Sequence, residues 1–150
     1  MTDDQVKVVP FGPDGEVETP WATALGGDLY ELDNTPWFAY GVSLKDIIEA
    51  RPRAPGEFPE FVRVVRKGGY RTVRVLLNEK RDQSAKSQAV LDSLKALGCR
   101  YEDMNGLLIG VDIPPSADLM AVRAFLIATG LEWEHADPEL ENLDLQPPRS

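Results

Sequence analysis

The apolar positions change their period near residue 70, and up to that point they come in short alternating runs between turn residues. Val6 to Phe11 reads as a first strand, closed by Gly12-Pro13-Asp14-Gly15. Trp21 to Leu25 and Leu29 to Leu32 read as strands around Gly26-Gly27-Asp28. After the turn Asp33-Asn34-Thr35-Pro36, Trp37 to Val42 resumes as strand. Ser43 then stands as an N-cap for a short helix over Leu44 to Ala50, with Asp46 at the third helical position able to reach back to it. Arg51-Pro52-Arg53-Ala54-Pro55-Gly56 stops that helix. Phe61 to Arg66 and Tyr70 to Leu77 are two β-rich runs around Lys67-Gly68-Gly69, which is the pattern of a hairpin.

Beyond that point the helical period enters. After the strand Thr72 to Leu77, Ser84 caps a helix whose Val90, Leu91, Leu94 and Leu97 form one stripe, and Gly98 is placed to end it. Cys99 to Met104 and Leu107 to Ile113 flank Asn105-Gly106, a strong hairpin signal. Ser116 is read as the cap of a second helix with Leu119, Val122, Phe125 and Leu126 on its buried side, ended by Gly130. Leu131 to His135 alternates as a last strand. Strand, helix, hairpin, helix, strand is the βαββαβ unit of ferredoxin-like folds. The expected class is α+β: an N-terminal β-rich lobe (5–70) packed on a C-terminal ferredoxin-like βαββαβ lobe (71–137). Together they make one integrated domain over 1–137. From Pro138 to Ser150 the chain is an acidic, Pro-closed tail whose Leu140, Leu143 and Leu145 can lie on the body.

Strand parity assigns the faces of the C-terminal sheet. Val73, Val75, Leu77, Leu107, Ile109, Val111, Ile113, Leu131, Trp133 and His135 should face the helices. The other face carries Arg74, Leu76, Leu108, Gly110, Asp112, Glu132 and Glu134, so Arg74 can pair across strands with Glu132 or Glu134. Leu76, Leu108 and Gly110 make an apolar strip that needs a cover, and the N-terminal strands are the available one.

Four stretches, taken in order, carry a resemblance: Glu18-Thr19-Pro20-Trp21-Ala22, Tyr30-Glu31-Leu32-Asp33-Asn34-Thr35-Pro36-Trp37, Gly41-Val42-Ser43-Leu44-Lys45-Asp46 and Gly68-Gly69-Tyr70-Arg71-Thr72-Val73-Arg74. Across most of residues 5 to 135 the chain resembles a bacterial family of small proteins, domain of unknown function 4265. The most specific parts are the Leu-Asp-Asn-x-Pro turn and the Arg-Thr-Val-Arg strand. The family pattern more often has Ser-Gly-His or Ser-Gly-Asn where this chain has Gly68-Gly69-Tyr70, which speaks against catalytic use of that loop. The resemblance implies the domain's extent and a bacterial source, and no activity.

Charge and composition narrow the functions. The 150 residues carry a formal net charge of −9, which repels bulk nucleic acid and anionic membrane. Arg51 to Arg81 holds nine basic and three acidic residues, a local +6 against −15 elsewhere. Those cations either pair with acidic neighbours inside the fold or form an anion or partner site. There is no apolar run of membrane-spanning length and no signal-peptide pattern, so a cytoplasmic protein is expected. One cysteine, Cys99, rules out an internal disulfide and a cysteine zinc cluster, and one histidine, His135, leaves a triad or a multi-histidine metal site nothing to build on. Cys99 is read as a buried small hydrophobe and His135 as a hydrogen-bonded, half-buried strand residue. The glycine pairs lack phosphate-loop and dinucleotide fingerprints, the acids lack calcium-loop spacing, and the strands lack the outward aromatics of an RNA-binding module.

The remaining candidates are Trp21, Asn34, Trp37, Arg71, Arg74, Glu132 and Glu134, a binding cluster if they converge, with Tyr30 and Asp33 beside them. The plainer alternative has Trp21 and Trp37 filling the N-terminal core. No catalytic residue, cofactor or metal is assigned. The first function expected is a non-enzymatic protein-interaction module, an acidic inhibitor or immunity-like factor masking a basic protein partner. The second is a homodimeric small-molecule-sensing module of ferredoxin-like type. The third is a hydrolase or phosphate-handling enzyme using Arg71, Arg74, Glu132 and Glu134.

Overall fold

A computed structural model of the chain describes residues 5–7 and 18–140. The expected turn at Gly12 to Gly15, the rest of the first strand, and Leu143 and Leu145 of the tail lie outside the described residues. The fold is α+β, with two antiparallel sheets and two α-helices. The first sheet is a five-stranded meander: β1 (Gln5–Lys7), β2 (Trp21–Gly26), β3 (Leu29–Leu32), β4 (Ile47–Arg51) and β5 (Glu60–Arg66), in that order. The remaining elements are β6 (Arg71–Leu76), α1 (Ala85–Ala96), β7 (Arg100–Asp103), β8 (Leu108–Ile113), α2 (Leu119–Thr129) and β9 (Glu132–Asp137). Their strands form a four-stranded sheet in the order β7-β8-β6-β9.

The second half follows its sequence pattern closely. The Ser84 side chain accepts from Ser87 N and starts α1, and Asn105 Oδ1 accepts from Leu107 N and Leu108 N in the β7–β8 turn. Val73, Val75, Ile109, Val111 and Ile113 meet Leu91, Leu94, Leu119, Val122 and Leu126 in one buried cluster, with Leu131 and Trp133 packed against it. Two caps differ from expectation. Asp118, not Ser116, caps α2 by accepting from Met120 N and Ala121 N; it stands next to the first apolar helical residue and adds a negative charge at the helix N-terminus. Leu97 is the C-cap of α1, and Gly98 follows in the left-handed conformation, φ 92°.

The first half departs from its local signals in three places. The expected helix over Leu44 to Ala50 is a turn leading into β4. Asp46 does reach back to Ser43 N, at 2.8 Å, but Lys45 adopts a left-handed φ of 70° and the capping contact closes a turn instead of opening a helix. The expected strand Trp37 to Val42 is irregular because its backbone groups go to side chains. Glu18 accepts from Trp37 N, Phe38 N and Ala39 N, while Arg74 takes Pro36 O and Ala39 O. The expected hairpin around Lys67-Gly68-Gly69 is a crossover: β5 pairs with β4, and β6 pairs with β8 and β9. Gly68 passes so close to Lys45 that a Cβ there would lie 2.4 Å from its carbonyl oxygen, and Gly69 has φ +99°. The glycines serve that passage between sheets.

Trp21 and Trp37 do not fill the N-terminal core, which is built from Ala22, Leu32, Ala39, Val42, Ile48 and Ala50 with Tyr30, Phe61 and Val64 against it. Trp37 lies instead over Gly110 of the other sheet.

Candidate functional site

The helix-free face of the four-stranded sheet is covered by the loop 35–42, and the contact is polar. Thr35 Oγ1 lies 2.9 and 2.7 Å from the two oxygens of Asp112, which is 2 % exposed. Burial pushes the Asp112 carboxyl up to about 7, the Thr35 hydrogen bond opposing it and Glu102 adding to it. Gly110 leaves room for the loop, since a Cβ there would meet Thr35 Cγ2 at 2.7 Å and the Trp37 ring at 3.3 Å. Arg74, 3 % exposed, binds Glu134 at 2.9 Å besides its two carbonyls, and its guanidinium lies 4.9 Å from the Tyr40 ring centre. Tyr40 in turn donates to Glu134 at 2.7 Å. That hydrogen bond holds the Tyr40 phenol above its ordinary value. The cover is incomplete at its far end, where Leu76 stays 42 % exposed and Leu108, Glu132 and Arg74 line a hollow of about 230 Å³.

A second polar cluster ties the crossover down. Lys67 Nζ donates to Asp46, to Asp137 and to Gly41 O, and Ser43 Oγ donates to Asp137 Oδ2 and lies 2.6 Å from Thr72 Oγ1. Ser43 and Thr72 are fully buried, so neither hydroxyl can meet a substrate. Burial holds the Asp46 carboxyl above its usual range against the Lys67 contact.

The larger opening follows β9, an edge strand. It is a cleft of about 700 Å³ lined by Tyr40, Arg123, Trp133, Glu134, His135, Glu139 and Leu140. Parity sends Trp133 and His135 to the α2 side of β9 and Glu134 to the Tyr40 side, so the cleft wraps the strand edge. Trp133 stands edge-on to His135 with ring centres 4.9 Å apart. His135 is 8 % exposed, and burial together with the charge of Arg123 lowers its imidazole below the ordinary histidine value. His135 Nε2 and Arg123 Nε are buried without hydrogen-bond partners among the described residues. The hydrogen-bonded histidine expected from the sequence thus lacks a partner at that nitrogen.

The sequence candidates divide among these places. Arg74 and Glu134 pair across strands, Trp37 lies over Gly110, and Asn34 Oδ1 accepts from Trp21 N at 2.7 Å. Glu132 is exposed at the smaller hollow. Arg71 does not join them. It sits on the helix side, donating to Pro114 O and Ala117 O, as the odd parity it shares with Val73 requires. Tyr40, Arg123 and Glu139 carry no sequence signal of their own, and the sequence marks His135 as structural. Only the register of β9 and the α2 stripe could have set Arg123 beside His135.

Most of the basic segment is neutralised from within. Arg51, Arg53, Arg63, Lys67, Arg74 and Arg81 each pair with an acid. Cys99 is buried, and burial pushes its thiol up to about 11. Among the described residues no group of three or more His, Cys, Asp or Glu could hold a metal ion, and no helix is long and apolar enough to cross a membrane.

A family model described as Domain of unknown function (DUF4265) matches residues 18–135. A solved structure titled "Novel crystal structure of a hypothetical protein from Neisseria gonorrhoeae" is similar in fold, with a TM-score of 0.70 at 14% identity, covering 93% of this chain and 98% of that one. No curated protein matches.

Proposed function

We propose that this chain, which belongs to the family of domain of unknown function 4265, is a non-enzymatic binding module that receives its ligand in the cleft along β9. The reading takes residues 1–137 as one integrated domain, a β-rich lobe packed on a ferredoxin-like lobe. The observation that carries it is the cleft of about 700 Å³, where Arg123 and Glu139 make no ion pair among the described residues and Trp133 and Leu140 offer apolar surface. A concave, partly apolar opening with a few unmatched polar groups is the usual form of a ligand site. Four reactive side chains are committed to structure: Ser43 and Thr35 are sealed, Cys99 is a buried thiol, and Arg74 is held by two carbonyls and Glu134. A ligand of the cleft raises the melting temperature by mass action. Fractions of a bacterial metabolite and peptide extract should therefore shift the melting of the parent protein and not of Arg123→Met. An extract with no active fraction for the parent would defeat the reading.

Capture of a basic protein partner is the second reading. It is favoured by the net charge of −9 on a chain whose Arg51–Arg81 cations are mostly paired with acids, which leaves the unpaired acids to set the field. A pull-down at low and high salt tests it; a partner retained equally at both would count against charge steering.

A further inference from the structure

The charges around the β9 cleft do not all cancel within the protein. Glu134 is answered by Arg74 and Tyr40. Arg123 on α2 and Glu139 just past β9 make no ion pair among the described residues. One cation and one anion therefore face the same opening, with the Trp133 ring and Leu140 as its apolar wall. Arg123 Nε and His135 Nε2 are themselves buried, so it is the rest of the Arg123 guanidinium that a ligand can meet, with the His135 ring beside it. A guanidinium at such an opening suits a carboxylate, whose two oxygens can accept from its N–H groups. An isolated carboxylate would leave Glu139 unanswered and be repelled by it. A ligand that also carries an ammonium satisfies both ends.

We propose that the cleft binds a small zwitterion of the α-amino-acid type with an apolar side chain. Its carboxylate accepts from the Arg123 guanidinium next to the His135 ring, its ammonium sits on Glu139, and its side chain lies against Trp133 and Leu140. This rests on the cleft being the binding site.

The chain's single histidine makes the His135 ring protons readable in a one-dimensional NMR spectrum without assignment. L-Phenylalanine should shift them saturably. L-Phenylalaninamide, which lacks the carboxylate, and 3-phenylpropanoate, which lacks the ammonium, should each bind about tenfold more weakly or worse. Arg123→Met keeps the aliphatic stem and should make phenylalanine no better than its amide; Glu139→Gln should make it no better than 3-phenylpropanoate. Both side chains are partly exposed, and an unchanged amide spectrum verifies folding. Equal binding of the three probes, or tighter binding of 3-phenylpropanoate, overturns the zwitterion and leaves the cleft reading standing. A His135 signal indifferent to all three at millimolar concentration overturns it too, and the extract experiment then decides the cleft reading separately.

Discussion

The four-stranded sheet has two covered faces held by different forces. Toward α1 and α2 it presents Val73, Val75, Ile109, Val111 and Ile113 to leucines and valines. That contact is non-directional, and its strength follows the apolar area removed from water. Toward the loop 35–42 it presents Thr72, Arg74, Gly110 and Asp112, three of them polar and buried. That contact holds only where each donor meets an acceptor, so its strength depends on geometry and on protonation. The first face, His135 apart, should respond to lost volume and ignore pH, whereas the second should respond to pH.

Asp112 gives the largest expected contrast. Its folded carboxyl is raised from 3.8 to about 7 and has a hydroxyl, not a cation, as its hydrogen-bond partner. Below the unfolded value both states hold the proton and nothing is lost. As pH rises through the window from about 4 to about 7, the unfolded chain releases its proton while the folded one keeps it, so stability falls and then levels off. The span corresponds to about 4 kcal/mol. Asp112→Asn keeps an acceptor for Thr35 and carries no charge. It should match the parent in urea denaturation near pH 4 and exceed it by a few kcal/mol near pH 8. A constant difference across that range would mean Asp112 is not the buried acid described.

The helix-covered face supplies the opposite case. Leu94→Ala removes a fully buried side chain and should cost about 3 kcal/mol at any pH. Gly110→Ala tests the loop contact by volume alone, because the added methyl would push into Thr35. It should cost about 2 kcal/mol and speed hydrogen exchange at the Trp37, Phe38 and Ala39 amides, with α1 unaffected. Acceleration spread evenly over both would show that the two covers unfold as one unit.

The same contrast explains what was legible from the sequence. Val73, Val75, Leu91 and Leu94 announce their partners by period alone, so the second half was readable almost to its caps. The loop cover is written in single side chains that act across long separations: Glu18 on residues 37–39, Arg74 on Pro36 and Ala39, Thr35 on Asp112. No local pattern encodes such bonds. Ser43 and Asp46 make their expected contact and still form no helix, because Lys45 turns left-handed and β4 is claimed by β3 and β5. The candidate site fails to read for the same reason. Parity could place Arg71 and Arg74 on opposite faces, but bringing Arg123 of α2 beside His135 of β9 takes the packed fold.

His135 is the polar exception on the helix-covered face, and it gives the smallest and most local test. Burial first, and the charge of Arg123 second, hold its imidazole below the ordinary histidine value. Glu134 and Glu139 line the same cleft, and Tyr40 faces it from the loop. The folded value lies below the unfolded one, so as pH falls through the unfolded value the unfolded chain takes up a proton first and stability drops on the acid side. This runs opposite to Asp112, which loses stability as pH rises. Arg123→Met removes the charge and leaves the burial, so the His135 midpoint in an NMR titration should rise and still stay below the unfolded value of about 6.5. The acid-side loss of stability should shrink with it. An unmoved midpoint would mean that Arg123 does not act on His135, and the His135 ring would then not report on an anion bound at Arg123.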